Sequence, residues 1–169
     1  MKLFHGTSYK LGNKILGQGL IKKRQPAFDM LTDPNYVYLT NRITVAMNYG
    51  RKKAIFSEPE ETQFYLFETE LNRNLLLVDL DEVAIFKDGF TDQQAAIEKL
   101  NGHYTVENTI PLFHSVRVNF DISLHKYTGR YSILSIPDLT ETITEDIFDK
   151  NLTGQELQKI YDSITWHSI

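Results

Sequence analysis

Three consecutive residues near the start, His5-Gly6-Thr7, combine the side chains and backbone freedom that recognition of a sugar or an amide needs. A glycine lets a second molecule approach the main chain closely, so that its N–H and C=O pair with a flat carboxamide. His5 and Thr7 add hydrogen-bonding side chains for hydroxyls on either side of that contact. Alone, the tripeptide is equally accounted for by a strand running into a helix-capping threonine. Tyr38 and Tyr49, eleven residues apart, offer a second chemistry. With one on a strand and the other on the next helix, their rings can face each other. Such a slot holds an aromatic ring by offset stacking, about 1 kcal/mol per contact beyond burial. Either tyrosine alone reads as core; coincidence with His5-Gly6-Thr7 makes a pocket of them.

The elements that must position these residues are legible in part. Residues 2–5 form an apolar run that reads as a strand, with Thr7 or Ser8 as cap of a helix carrying Leu11, Ile15 and Leu16. Gly17 and Gly19 interrupt that pattern before Leu20-Ile21. Residues 22–35, with Pro26 and Asp33-Pro34-Asn35, read as an irregular loop and a candidate lid. Residues 36–40 alternate as a strand, and Asn41 can cap a helix bearing Ile43, Ala46 and Met47 that Gly50 can end. After an acidic connector at 57–62, residues 64–67 and 75–78 read as two core strands. Between Asp79 and Asn119 the pattern predicts one helix, capped by Thr91 and stopped by Gly102, among mostly short strands. Residues 120–124 and 131–136 flank Thr128-Gly129 as a hairpin, and Thr153 to Glu156 is a capping box before Leu157, Ile160, Tyr161 and Ile164. Without a βαβ rhythm, this mixture predicts an α+β fold around a mainly antiparallel sheet.

Composition narrows the function. A chain of 169 residues predicts one domain, residues 1–169, with 41% apolar residues. No apolar run approaches the roughly 20 residues of a membrane helix, and the opening residues are too short a run for a signal peptide, so a cytoplasmic protein without a membrane partner is expected. The absence of cysteine excludes disulfides and a cysteine nucleophile. A net charge of -4 argues against a protein that coats nucleic acid, and Lys22-Lys23-Arg24 and Arg51-Lys52-Lys53 read as solvated stretches beside element ends. His103, His114 and His125 recur every eleven residues, yet no pair has ligand spacing on a helix, so no metal is expected. Glu58, Glu60 and Glu61 read as a solvated linker. Neither a phosphate-binding glycine loop nor a Gly-x-Ser-x-Gly elbow occurs.

Residues 3–7, Gly19-Leu20, Val37 to Thr40 and Ala46 to Gly50 together resemble the NAD-binding core of the ADP-ribosyltransferases, in the His-Tyr-Glu branch typified by poly(ADP-ribose) polymerases and diphtheria toxin. The strands expected at 64–70 and 75–79 extend the likeness to about residue 80. The resemblance implies a split antiparallel sheet with flanking helices, and NAD as substrate. It implies His5 on a ribose, the Gly6 backbone on the carboxamide, Thr7 assisting a ribose, and Tyr38 with Tyr49 around the nicotinamide. The loop at 22–35 matches the family's lid, where Lys23 or Arg24 would meet the pyrophosphate.

Two positions depart from the family. Ala46 stands where many polymerase-like members have a serine, and no glutamate opens the late strand, which Arg130 precedes. That glutamate stabilises the oxocarbenium-like transition state, a charge-matching role. The resemblance leaves Asp121 as the candidate acid, with His5 and Tyr38 beside it in the catalytic set, and His125 as a further candidate. Loss of the glutamate goes with transfer of a single ADP-ribose. The expectation is therefore a mono-ADP-ribosyltransferase that releases nicotinamide and modifies a macromolecule, a protein in preference to nucleic acid, as a toxin or phage effector acting in a host cytoplasm. The alternative is a catalytically degenerate module that binds NAD or ADP-ribose. A related RNA 2′-phosphotransferase activity fits the acidic chain poorly.

Overall fold

The computed structural model of the protein describes residues 1–24, 32–57, 60–89, 92–139 and 152–169. Its first strand, β1 (Lys2–Ser8), continues through His5-Gly6-Thr7 instead of stopping at His5, because β4 (Gln63–Glu70) pairs with it from Lys2↔Glu70 to Ser8↔Phe64. Ser8 then caps α1 (Tyr9–Gln18), and Gly19 closes it in the left-handed region at φ 67°. Glu61 is no solvated linker residue: its carboxylate accepts the Tyr9 and Lys10 N–H groups at 3.0 and 2.9 Å and caps the same helix. Glu58 lies outside the described residues, and Glu60 is exposed.

Next come β2 (Leu20–Ile21), β3 (Val37–Thr40) and α2 (Ile43–Ser57). Gly50 does not end α2; it sits mid-helix, where an added Cβ would fall 2.5 Å from the Phe64 ring and 3.1 Å from the Thr7 nitrogen. A Cβ on Gly6 would lie 1.8 Å from the Ala46 carbonyl oxygen. The pair of glycines therefore lets β1 and α2 touch backbone to backbone.

A 3₁₀ turn (Arg73–Leu75) precedes β5 (Leu77–Val78), a short edge strand paired with β6 (Ser115–Val118) instead of a core strand beside β4. The stretch expected to hold mostly short strands instead contributes three helices, α3 (Leu80–Asp88), α4 (Asp92–Lys99) and α5 (Val106–Phe113). Asp79 caps α3, accepting from the Asp81 and Glu82 N–H groups, and Thr105 with Asn108 forms a capping box on α5. The expected helix is α4; Thr91, its expected cap, lies outside the described residues.

The expected hairpin also differs. β7 (Ile122–Ser123) pairs with β2, α6 (Leu124–Tyr127) turns the chain, and β8 (Thr128–Ser135) runs along β4 from Thr69↔Thr128 to Gln63↔Ser135. Pairing along the length of β4 satisfies far more ladder groups than a two-residue ribbon could. The chain ends with α7 (Gly154–Ser163), on the expected Thr153 capping box, and β9 (His167–Ser168).

The result is α+β, as expected: an antiparallel sheet ordered β5-β6-β3-β1-β4-β8-β9, with β2-β7 as a separate pair. The run Phe64-Tyr65-Leu66-Phe67 is apolar throughout because both faces of β4 are covered. Tyr65 and Phe67 join Leu3, Leu39 and Val116 on one face, while Phe64 and Leu66 join Phe4, Ala46 and Met47 on the other, where Leu157, Ile160 and Tyr161 of α7 and Ile164 at its end also pack. Among the described residues no helix is long and apolar enough to cross a membrane.

Candidate functional site

β1 and β3 register only at Phe4↔Thr40, whereas β1 follows β4 to its end. Beyond Phe4 the two strands part, and the wedge between them opens into a cavity of about 480 Å³, within the range of small-molecule sites. His5 spans the wedge, its Nδ1 lying 3.0 Å from the Tyr38 carbonyl oxygen. Burial depresses the His5 pKa below its ordinary value, so the ring is neutral at pH 7. A carbonyl can only accept, so Nδ1 carries the proton and Nε2 is the ring's acceptor. An imidazole held this way suits a hydroxyl donor such as a sugar offers.

Gly6, Thr7, Tyr38 and Tyr49 line the same cavity. Two neighbouring residues of the first turn of α3 hold the tyrosines in place. The Tyr38 hydroxyl donates to the Asp81 carboxylate and lies 3.0 Å from the Asp33 carbonyl oxygen; the Tyr49 hydroxyl donates to Glu82 Oε1 at 2.7 Å. Burial first, and then the adjacent carboxylate, pushes both phenols far above their ordinary range, so both remain protonated donors.

The three acids at the start of α3 are not equivalent. Asp79 is 1% exposed, caps the helix and accepts the Ser115 hydroxyl; burial raises its pKa, and that hydrogen bond offsets part of the rise. Asp81 accepts from Tyr38 and from the Asp33 N–H at 2.9 Å, and pairs with Arg117 at 3.5 Å. Arg117 is itself buried, with its guanidinium 3.9 Å over the Tyr36 ring. Glu82 accepts only from Tyr49 among the described residues. Burial pushes its carboxyl up to about 7, the Tyr49 hydrogen bond acting the other way. A carboxyl that titrates at neutral pH in a cavity has the properties of an acid–base or charge-stabilising group.

The other sequence candidates fall elsewhere. Asp121 is exposed and does not line the cavity; its Oδ1 accepts the Lys23 backbone N–H at 2.9 Å, pinning the chain after β2. His125 is exposed on α6, near Gly19. Lys23 reaches the Asn119 carbonyl through Nζ, and Arg24, at φ 62°, joins the loop base by donating its N–H to the Pro34 carbonyl; neither lines the cavity. Lys22 does, and so do Lys52 and Lys53, which stand on the cavity side of α2 and not in a solvated stretch beside a helix end. Of the expected lid, residues 25–31 lie outside the described residues. His114 forms the left-handed C-cap of α5, at φ 58°, and His103 is exposed.

The reason offered for Gly6 changes as well, since the main chain that approaches it is that of α2. Ala46 belongs to that contact, which leaves no room for a larger side chain at Gly6. Sequence reasoning missed Asp81 and Glu82, although Asp79-Leu80-Asp81-Glu82 has the form of an N-cap followed by an acidic first turn. Neither models of known protein families nor curated proteins match this chain.

Proposed function

We propose that the protein is an NAD-dependent mono-ADP-ribosyltransferase, releasing nicotinamide and transferring ADP-ribose to a macromolecule, with Glu82 in the role the sequence offered to Asp121. The observation that carries this reading is the convergence of His5, Gly6, Thr7, Tyr38 and Tyr49 on one cavity whose two tyrosines are fixed by adjacent acids. A flat, electron-poor pyridinium stacks favourably on a phenol ring, and the neutral His5 ring offers an acceptor to a ribose hydroxyl. As the bond from ribose C1′ to the nicotinamide nitrogen breaks, positive charge develops on the sugar, and an ionised Glu82 opposes it. The bond's electron pair leaves on nicotinamide, and the acceptor's lone pair bonds to C1′ as its proton departs. A protein acceptor fits the acidic chain better than nucleic acid, and the role proposed with it is that of a toxin or phage effector.

The test is incubation with labelled NAD and a cell lysate, scoring nicotinamide release and label transfer for wild type, His5→Ala, Tyr38→Ala, Glu82→Gln and Asp121→Asn. Removal of one preorganised charge-stabilising group costs roughly 10²–10³-fold in rate. The first three variants should fall by that order while Asp121→Asn stays within twofold of wild type. Tight NAD binding with no release or transfer in the wild type would replace this reading by the degenerate binding module, which the Ala46 departure favours.

A further inference from the structure

Beyond Tyr49, α2 carries a pattern that nicotinamide recognition does not use. Lys52, Lys53 and Phe56 line the same cavity on the following turns of the same helix face. Phe56 is 71% exposed, the most exposed large apolar side chain among the described residues, and Ile85 of α3, 43% exposed, also lines the cavity. Seven residues of helix advance about 10 Å. The order along α2 is therefore an aromatic ring, two cationic heads, and a second aromatic ring about 10 Å from the first.

The helix leads away from Gly6 in the direction in which β1 ends. Gly6 faces Ala46 and Gly50, while Gly50 also reaches the Thr7 nitrogen and the ring of Phe64, the partner of Ser8. Residues 53 and 56 lie further along that course. Ring, positive charge and ring is the complement of two planar heterocycles joined by a doubly anionic bridge. An exposed aromatic with lysines before it is also how base and phosphate are held when no sequence is read.

On the NAD reading above, we infer that the dinucleotide runs along α2, with its pyrophosphate against Lys52 and Lys53 and its adenine against Phe56 and Ile85. Lys23 and Arg24, which do not line the cavity, take no part. Stacking of a base on an aromatic side chain is lost on alanine substitution, so losing Phe56 should weaken adenine binding on the order of tenfold.

Calorimetric titration of wild type and Phe56→Ala with NAD, ADP-ribose and nicotinamide mononucleotide tests this without relying on turnover. Phe56 is exposed, so its removal should leave the melting temperature within about 2 °C of wild type. The expected result is a roughly tenfold loss for NAD and ADP-ribose with mononucleotide affinity unchanged. For Lys53→Gln, NAD affinity should also fall, with a shallower dependence on salt. Unchanged NAD affinity in Phe56→Ala, or an equal loss for the mononucleotide, would overturn the inference and leave the NAD reading standing, assigning the Phe56 end of the cavity to the acceptor. A wild type that binds none of the three ligands would overturn both.

Discussion

At Glu82, burial has raised a carboxyl to about 7, and the sign of the consequence is fixed by linkage. The folded pKa lies above the ordinary value of 4.5, so folding favours the protonated acid. Its relative stabilisation is complete below pH 4.5 and disappears as pH rises through 7. Glu82→Gln, which keeps an acceptor for Tyr49 but cannot ionise, should therefore raise the melting temperature at pH 8 and leave it unchanged near pH 4; thermal unfolding across that range decides. Catalysis should run the other way. Nicotinamide release by the wild type should rise through about pH 7 as the carboxylate forms, and a profile flat across pH 6 to 8 would remove Glu82 from the role proposed for it. The neighbouring acids hold more partners: Asp81 accepts from Tyr38 and Asp33 and pairs with Arg117, and Asp79 accepts from Ser115 and the N-terminus of α3.

The wedge itself is set by how two elements approach. α2 lies on β1 at backbone contact, and two glycines allow it: a methyl group would fall 1.8 Å from the Ala46 carbonyl oxygen at Gly6 and 2.5 Å from the Phe64 ring at Gly50. Gly6→Ala would place a carbon against the Ala46 carbonyl, and backbone yields less readily than a side chain. Overpacking of this kind costs about 3 kcal/mol, a fall of roughly 10 °C in melting temperature for a domain of this size. Differential scanning calorimetry would measure it, and a shift under 2 °C would show that the helix can withdraw without loss. The motif residues of β1 were legible in the sequence, but the reason for Gly6 was not. Period-two alternation says which side of a strand is buried and nothing about what comes to rest on it. In the same way the two-residue β5 and the helices α3 and α5 escaped a reading by pattern, because β5 is too short to show alternation and Pro111, a helix breaker by type, sits inside α5.

Across the whole molecule, the C-terminal α7 is clasped to the sheet, and none of its residues lines the cavity. The Tyr161 hydroxyl donates to Glu68 Oε2 at 2.5 Å and accepts from Lys2 Nζ at 2.9 Å and from Arg130, while Lys2 and Arg130 also flank Glu68 at 3.6 and 3.2 Å. Trp166, the only tryptophan, stands 5.4 Å from the Tyr161 ring. Tyr161→Phe keeps the ring and its packing on Phe4 but removes the hydroxyl at the centre of the clasp. A hydrogen bond to a charged group contributes about 1.5–3 kcal/mol. The variant should release α7 at lower denaturant than the rest of the chain, seen as an early step in Trp166 fluorescence, with NAD affinity within twofold of wild type. A single transition coincident with the global one would show that the hydroxyl contributes nothing separable.

The sequence by itself determined the local grammar: the Ser8 and Thr153 caps, the apolar run of β4, and the helix and strand mixture that makes the fold α+β. Each depends on neighbours within a few positions along the chain, so spacing and residue type suffice to show it. The tertiary structure alone decided which acid faces that cavity, which strand pairs with β8, and where the lysines stand. Tyr38 meets Asp81 across 43 residues and Tyr49 meets Glu82 across 33, and Asp121 is drawn aside by Lys23 across 98. A carboxylate's partner and its exposure to water, which together set its charge, arise only when distant segments pack, so local spacing could not distinguish Glu82 from Asp121.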